Sequence, residues 1–332
     1  MERVAVIGSG IAGLAAAREL VRAPGATRVT LFEADARLGG HAHTVAVTLD
    51  GVTQGVDTGF LVFNERTYPR LVKLFDELGV ETAPADMSFS VQARTSALEW
   101  SGSNIAGLFA QRANLLRPAF WRMLADIARF NRLATRQAQL GDDQVTTQTV
   151  AEFLDTHGFG IEFRDWYFLP MVGCIWSCPI EQMLAFPIAT LIRFCHNHGP
   201  LQVRGRPQWL TVRGGSWHYV RRIVAGLSDV RVATPVLGVT RTGAGVTVFT
   251  ARQSEHFDQV VFACHADQAL QLLGAGATQA ERHILGAIRS RRNHAVLHTD
   301  ASLLPSTAPR GPHGTTKPDP PTPMAASVCT TG

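Results

Sequence analysis

Gly8-Ser9-Gly10-Ile11-Ala12-Gly13 and Glu33 are the residues of this 332-residue chain whose types and spacing promise chemistry. Gly8 permits a tight turn. Gly10 offers bare backbone that a phosphate can approach, and Gly13 lets a helix pack closely on a strand. Ser9, Ile11 and Ala12 lead into a helix N-terminus that presents free N–H groups and a partial positive charge, which suit a pyrophosphate. Glu33, followed by Ala34, stands about twenty residues beyond the last glycine, where an acid accepts hydrogen bonds from a ribose diol. A G-x-G-x-x-G alone is a weak signal, and a glycine turn that binds nothing is the plainer reading. Between a strand and a helix, with the acid closing the next strand, it has the context that dinucleotide binding needs.

The elements that must position these residues are legible. Val4–Ile7 is a short apolar run without helical spacing and reads as a buried strand. Leu14–Val21 is a helix-forming run, Pro24-Gly25 stops it, and Val29–Phe32 reads as the second strand. His43–Leu49 alternates up to Asp50-Gly51, a type I′ hairpin signal. Leu71, Leu74, Phe75 and Leu78 recur at helical spacing before Gly79. Strands are expected over 88–93, 98–100, 230–233, 236–240, 246–250 and 260–263, and helices over 104–140, from 149, and over 217–227.

A second glycine pair, Gly39-Gly40, follows Glu33 and is preceded by Arg37, in "EADARLGGHAHT". Here the chain resembles the FAD-dependent amine oxidase, phytoene desaturase and protoporphyrinogen oxidase superfamily. The arrangement of Ile175-Trp176-Ser177, Phe186-Pro187, Asn197-His198-Gly199 and Arg206-Pro207-Gln208-Trp209 also resembles a narrower group of bacterial NAD/FAD-binding amine oxidoreductases. The resemblance implies FAD as cofactor, with the glycine pair passing close to its flavin side. Most members carry Arg after that pair, where this chain has His41. It further implies that Thr58, Gly59 and Phe60 bring backbone to the flavin ring, that Val236 lies at the adenine, and that Ala263, with Cys264 and His265, makes a second approach. His41, Asp57 and His265 would then lie near the flavin, and no catalytic residue is assigned. For Asp57, capping of the following turn explains the residue as well.

The implied fold is α/β, an FAD-binding Rossmann-like domain of the amine-oxidase type with an inserted α+β substrate domain. The FAD domain is expected from 1–89 and 208–303, with a mostly helical substrate domain over 90–207 and an aberrant or disordered tail over 304–332. The implied reaction passes a hydride from a lipophilic or amine substrate to flavin N5, the cofactor carrying the chemistry. Two rivals are an inactive dinucleotide-binding fragment and an NAD-dependent dehydrogenase. The glycine pair and the return segment 257–265 speak against the latter.

Composition narrows the partners to a small-molecule substrate. The formal charge is +4, and Lys73 and Lys317 are the only lysines, so no basic stripe for nucleic acid is expected. No specific protein partner is expected. No apolar run reaches the length of a membrane span, and strand one starts too early for a leader, so the expected location is cytoplasmic. Peripheral contact with the inner face of the membrane is the alternative, since Phe120, Leu124, Ile127 and Phe130 form a stripe with arginines between; a packed core stripe is the plainer reading. Cys174, Cys178, His196 and His198 can be drawn as a zinc site, but cysteines in apolar runs read first as core, and no metal is expected. Either histidine reads first as structural. From about Ser306 six prolines interrupt the chain, and coil is expected. A reading-frame shift near Arg310 is the accompanying expectation, because the codons of 311–316, read two bases later, permit the Ala-Ser-Trp-Asn-Tyr that relatives are expected to carry; a natural truncation with a coil tail is the plainer alternative.

Overall fold

The structure is a computed structural model that describes residues 1–25, 27–85, 88–93, 97–102, 105–140, 146–176, 180–199, 207–290 and 296–300, and the backbone of 326–331. The chain begins with β1 (Glu2–Ile7), α1 (Ile11–Arg22), β2 (Thr27–Phe32), β3 (Thr44–Leu49), β4 (Val52–Asp57), α2 (Pro69–Leu78) and β5 (Thr82–Ala85). Next come β6 (Ser88–Ala93), β7 (Leu98–Ser101), α3 (Ile105–Leu108), α4 (Pro118–Ala138), α5 (Val150–Thr156), α6 (Ile161–Phe163), α7 (Leu169–Trp176), α8 (Ile180–Leu184) and α9 (Ile188–His198). It returns through β8 (Trp209–Val212), α10 (Trp217–Val224), β9 (Asp229–Arg231), β10 (Val236–Thr242), β11 (Gly245–Thr250), β12 (Ser254–Phe257) and β13 (Gln259–Phe262). The last elements are α11 (Ala266–Leu273), α12 (Gln279–Ala287) and β14 (Ala326–Thr331).

Two compact units result. One comprises Met1–Leu61, Lys73–Thr82 and Thr211–Leu297; the other comprises Val62–Val72, Ala83–Leu210 and His298–Gly332. The junctions expected at 89/90 and 207/208 thus fall at 82/83 and 210/211, and residues 62–72 pack with the helical unit.

In the first unit a parallel sheet runs in the order β13-β1-β2-β9. The apolar run 4–7 is buried throughout, because both faces of the sheet are covered. Leu14 and Ala17 of α1 are fully buried. Ala5, Ile7 and Phe32 form one core with Val239, Val246, Val248 and Phe257 of the antiparallel sheet β10-β11-β12. Neighbours of β1 diverge to β2 on one side and β13 on the other. The crevice at its carboxyl end is therefore a topological switch point, where open α/β sheets bind ligands. The β3–β4 hairpin turns at Asp50 (φ 49°) and Gly51 (φ 78°), as the type I′ signal requires.

The second unit packs α4, α5, α7 and α9 around Phe120, Met123, Phe130, Phe153, Phe163, Phe168, Leu191 and Cys195. The α4 stripe belongs to this core. Phe120 and Phe130 are fully buried, and Leu124 and Ile127 pack against the same cluster. This corrects the membrane-facing reading of that stripe, since helical periodicity alone does not say what an apolar face meets. Residues 326–331 form β14, parallel to β6 with Ala326 opposite Ser88, where the prolines upstream led to an expectation of coil. The alternation of small and β-branched residues in Ala-Ser-Val-Cys-Thr-Thr suits a strand once a partner edge is present. The rest of the expected aberrant tail lies outside the described residues.

Candidate functional site

The first and third glycines of the loop are required by the protein itself. A Cβ at Gly13 would stand 1.9 Å from the Gly8 carbonyl oxygen, and one at Gly8 (φ +105°) would stand 2.7 Å from the Ala263 carbonyl oxygen. Gly10 is different. Its backbone is ordinary (φ −63°, ψ 173°), and a Cβ there would meet nothing within 4 Å. Among the described residues no protein atom crowds that position, so its backbone is left open to a ligand. Gly10 also N-caps α1, which starts at Ile11 and not at Leu14 as the helix-forming run suggested, because Leu14 N–H donates to the Gly10 carbonyl at 2.9 Å. No side chain caps this helix and no acid lies in its first turn. The N–H groups of that turn are left with their partial positive charge uncompensated.

Ser9 and Glu33 build the floor. Ser9 is fully buried. Its N–H and Oγ donate to Glu33 Oε2 at 2.8 and 2.5 Å, and Asp35 N–H donates to Oε1 at 2.9 Å. A carboxylate has about four lone-pair sites, so Oε1 keeps one for a further donor such as a ribose hydroxyl. Ser9 Oγ also accepts from Gly39 N–H at 3.1 Å, which ties the second glycine turn to the first. Its side chain therefore positions the loop and does not face a ligand. A Cβ at Gly40 would lie 3.0 Å from the Gly10 Cα, so this turn too must be bare to pass the loop. The Arg37 guanidinium donates to the carbonyls of Leu38, Gly40 and Ala42, which holds the Gly39-Gly40 turn in shape.

The remaining expected contacts divide. Ile11, Ala12, Ala34, His41 and Gly59 are exposed around the loop, and Thr58, Phe60 and Ala263 are half-buried. Phe60 N–H donates to the His41 carbonyl at 2.8 Å, and a Cβ at Gly59 would press on that carbonyl. His41 and His265 lie with ring centroids 6.2 Å apart and planes 21° apart. Ala263 N–H donates to the Ile7 carbonyl at 2.8 Å, which seats β13 beside the loop. Burial pushes the thiol of Cys264 up. Thr234 N–H donates to the Glu33 carbonyl at 2.8 Å and Ala233 N–H to the Asp35 carbonyl at 2.9 Å, so the chain entering β10 at Val236 runs beside the acid. Asp57 is not available for chemistry. Its carboxylate accepts Thr44 Oγ1 at 2.6 Å, Ser216 Oγ at 2.7 Å and Ser216 N–H at 3.0 Å, and so joins the hairpin to the start of α10. Together with burial, it pushes the Tyr219 phenol up.

Loop, helix start and acid thus leave open space over Gly10, uncapped N–H groups beside it and a spare acceptor on Glu33. These fit the pyrophosphate and ribose of a dinucleotide.

The second unit contains a feature the sequence reading missed, a series of half-buried rings. Trp176 and Phe194 lie 4.7 Å apart, Phe194 and His198 stack at 4.0 Å, His198 and Trp209 stack at 6.2 Å, and Tyr68 meets His198 edge-on at 6.1 Å. His198 Nδ1 lies 3.0 Å from the Phe194 carbonyl. A carbonyl only accepts, so Nδ1 carries a proton, and in the neutral ring Nε2 holds the lone pair. The i, i+4 spacing of Phe194 and His198 was the available signal. Cys195 is buried, which pushes its thiol up to about 12. Cys178 of the drawn zinc site lies outside the described residues, and no metal-holding cluster occurs among the described ones.

Comparison with known proteins agrees with this geometry. The sequence pattern of the family described as flavin containing amine oxidoreductase matches residues 11–290. A putative flavin-containing monoamine oxidase AofH of Mycobacterium tuberculosis is 29% identical over 253 residues, covering 74% of this chain and 53% of that protein. Protoporphyrinogen oxidase 2, chloroplastic/mitochondrial, of Arabidopsis thaliana is 29% identical over 185 residues, covering 52% of this chain and 32% of that protein. The chain therefore spans about half or less of these relatives' length. Among solved structures, cyclohexylamine oxidase from Brevibacterium oxydans IH-35A shares the fold at TM-score 0.63 and 20% identity, covering 86% of this chain and 63% of that chain. With the motif, the switch-point crevice and the match over 11–290 in hand, the chain belongs to the flavin containing amine oxidoreductases.

Proposed function

We propose that the chain binds FAD through its first unit and takes part in oxidising a small apolar molecule, an amine or a lipid-like compound. The observation that carries this reading is Gly10, the loop glycine that no protein contact explains. When bound, FAD supplies the hydride acceptor. The chain's own residues do the holding. The α1 N–H groups take the pyrophosphate, Glu33 takes a ribose hydroxyl, and Arg37 keeps the Gly39-Gly40 turn in register. His41, Thr58, Gly59, Phe60, Val236 and Ala263 complete the cradle in this reading. Within the second unit, Tyr68, Trp176, Phe194, His198 and Trp209 offer an apolar ring surface that suits such a molecule, with Nε2 of the neutral His198 ring as a hydrogen-bond acceptor. Such surfaces are mostly apolar with few polar groups. Family membership favours flavin over the NAD-dependent reading.

A second reading is FAD binding without turnover. One experiment tests the first and separates the two. The purified chain is expected to show flavin absorbance bands and to release FAD on denaturation. Colourless protein that takes up no added FAD overturns the proposal. Yellow protein whose bands no amine or unsaturated lipid bleaches under anaerobic conditions supports the second reading.

A further inference from the structure

Several large apolar side chains of the second unit are exposed, and three of them share one turn. Leu115, Leu116 and Trp121 are 48%, 88% and 49% exposed. They are displayed by a single 3-10 turn, Arg112–Leu116, and the first turn of α4. This is not a loose loop. Asn114 is fully buried and its Nδ2 donates to the Glu99 carbonyl at 3.0 Å. Gln111 Oε1 accepts Glu99 N–H at 3.0 Å, and its Nε2 donates to the Ala97 carbonyl at 2.9 Å. Trp121 Nε1 donates to the Leu115 carbonyl at 2.9 Å. The Trp121 ring lies 5.5 Å from Phe109, which packs at 5.8 Å on the buried Phe120. The core thus braces a turn that holds two leucines and an indole out in water.

The charge along this stretch is mostly positive, with Glu99 and Glu162 of neighbouring elements beside it. Between 111 and 140 stand Arg112, Arg117, Arg122, Arg129, Arg132 and Arg136 against Asp126 alone. Arg122 pairs with Glu162 and Arg129 with Asp126. Arg112, Arg117, Arg132 and Arg136 have no carboxylate partner among the described residues. Leucines and a tryptophan at the tip, flanked by arginines whose stems can lie along apolar surface, match the boundary between lipid headgroups and acyl chains. The uncompensated arginines match anionic headgroups.

We propose that Leu115, Leu116 and Trp121 form a rigid prong that inserts into the surface of an anionic lipid bilayer, with Arg112 and Arg117 on the lipid phosphates. This surface is distinct from the α4 stripe, whose apolar residues are core. It calls for contact with one leaflet only, since no described helix is long and apolar enough to cross a membrane.

Sedimentation with vesicles tests it. The unmutated chain is expected to pellet with phosphatidylcholine vesicles containing phosphatidylglycerol, to bind pure phosphatidylcholine far less, and to lose binding as salt rises. Leu116→Glu is expected to lower the bound fraction about tenfold and Arg112→Gln by a smaller factor, both with unchanged circular dichroism and Tm. No pelleting by the unmutated chain, equal binding to both vesicle types, or unchanged binding of Leu116→Glu each overturns the proposal. So does self-association without vesicle binding that Leu116→Glu disperses, because the prong is then an interface between two copies.

Discussion

At the scale of single residues, two glycines three apart in one loop answer to different demands. Gly13 faces the Gly8 carbonyl at a distance no Cβ survives, whereas Gly10 faces open space. Gly13→Ala is therefore expected to cost several kcal/mol, on the order of 4, or to prevent folding. Gly10→Val is expected to keep Tm within a few degrees, roughly the effect of 1 kcal/mol, and to abolish flavin content. Thermal melts and the flavin absorbance of both variants check the contrast. Ser9→Ala is expected to cost about 1–3 kcal/mol in a urea titration, because a buried hydroxyl that serves both Glu33 and Gly39 N–H is removed. The glycines and Glu33 were legible because their partners are close in sequence or outside the protein. Asp57 was not, since the residue it caps, Ser216, lies 159 positions away and nothing local announces it.

At the scale of elements, α12 is held by one carboxylate. Glu281 accepts from the Arg241 guanidinium at 2.7 Å and from Thr278 N–H at 2.7 Å, closing a capping box. The Arg241 hydrogen bonds, then the Thr278 N–H, hold its pKa down to about 2, below the ordinary 4.5. The folded value is depressed, so this stabilisation is present above the unfolded pKa and is lost as pH falls through about 2. Amide exchange of α12 is expected to accelerate between about pH 4.5 and 2, and Glu281→Gln is expected to remove that dependence. The sequence reading did not name α12, whereas α1 and α2 were readable from their helix-forming runs and the glycines that stop them. What an apolar face packs against was not readable, which is why the α4 stripe, read as a membrane candidate, is core. Period locates a face, and only tertiary partners assign it to core or surface.

At the scale of the whole molecule, the cofactor reading predicts where added FAD acts. Hydrogen exchange is expected to slow in 8–13, 33–40 and 233–236, because the last of these segments is bonded to Glu33 and Asp35. Residues 97–140 are expected to exchange unchanged. Slowing confined to 97–140 would remove the assignment of the dinucleotide to the first unit. The sheet behind this site also has a history in time. Val4 pairs with Gln259 on one side of β1, and Thr30 pairs with Asp229 on the far side of β2. On a ribosome adding about 5–20 residues per second, the β1–α1–β2 piece waits roughly 10–50 s until β9 and then β13 emerge to pair its outer edges. The stretch Ala83–Leu210, which makes up most of the helical unit, is synthesised before then, although β14 of that unit follows later. The part of the chain that is translated first is thus among the last to finish folding, and nascent β1 and β2 are natural clients for a ribosome-bound chaperone.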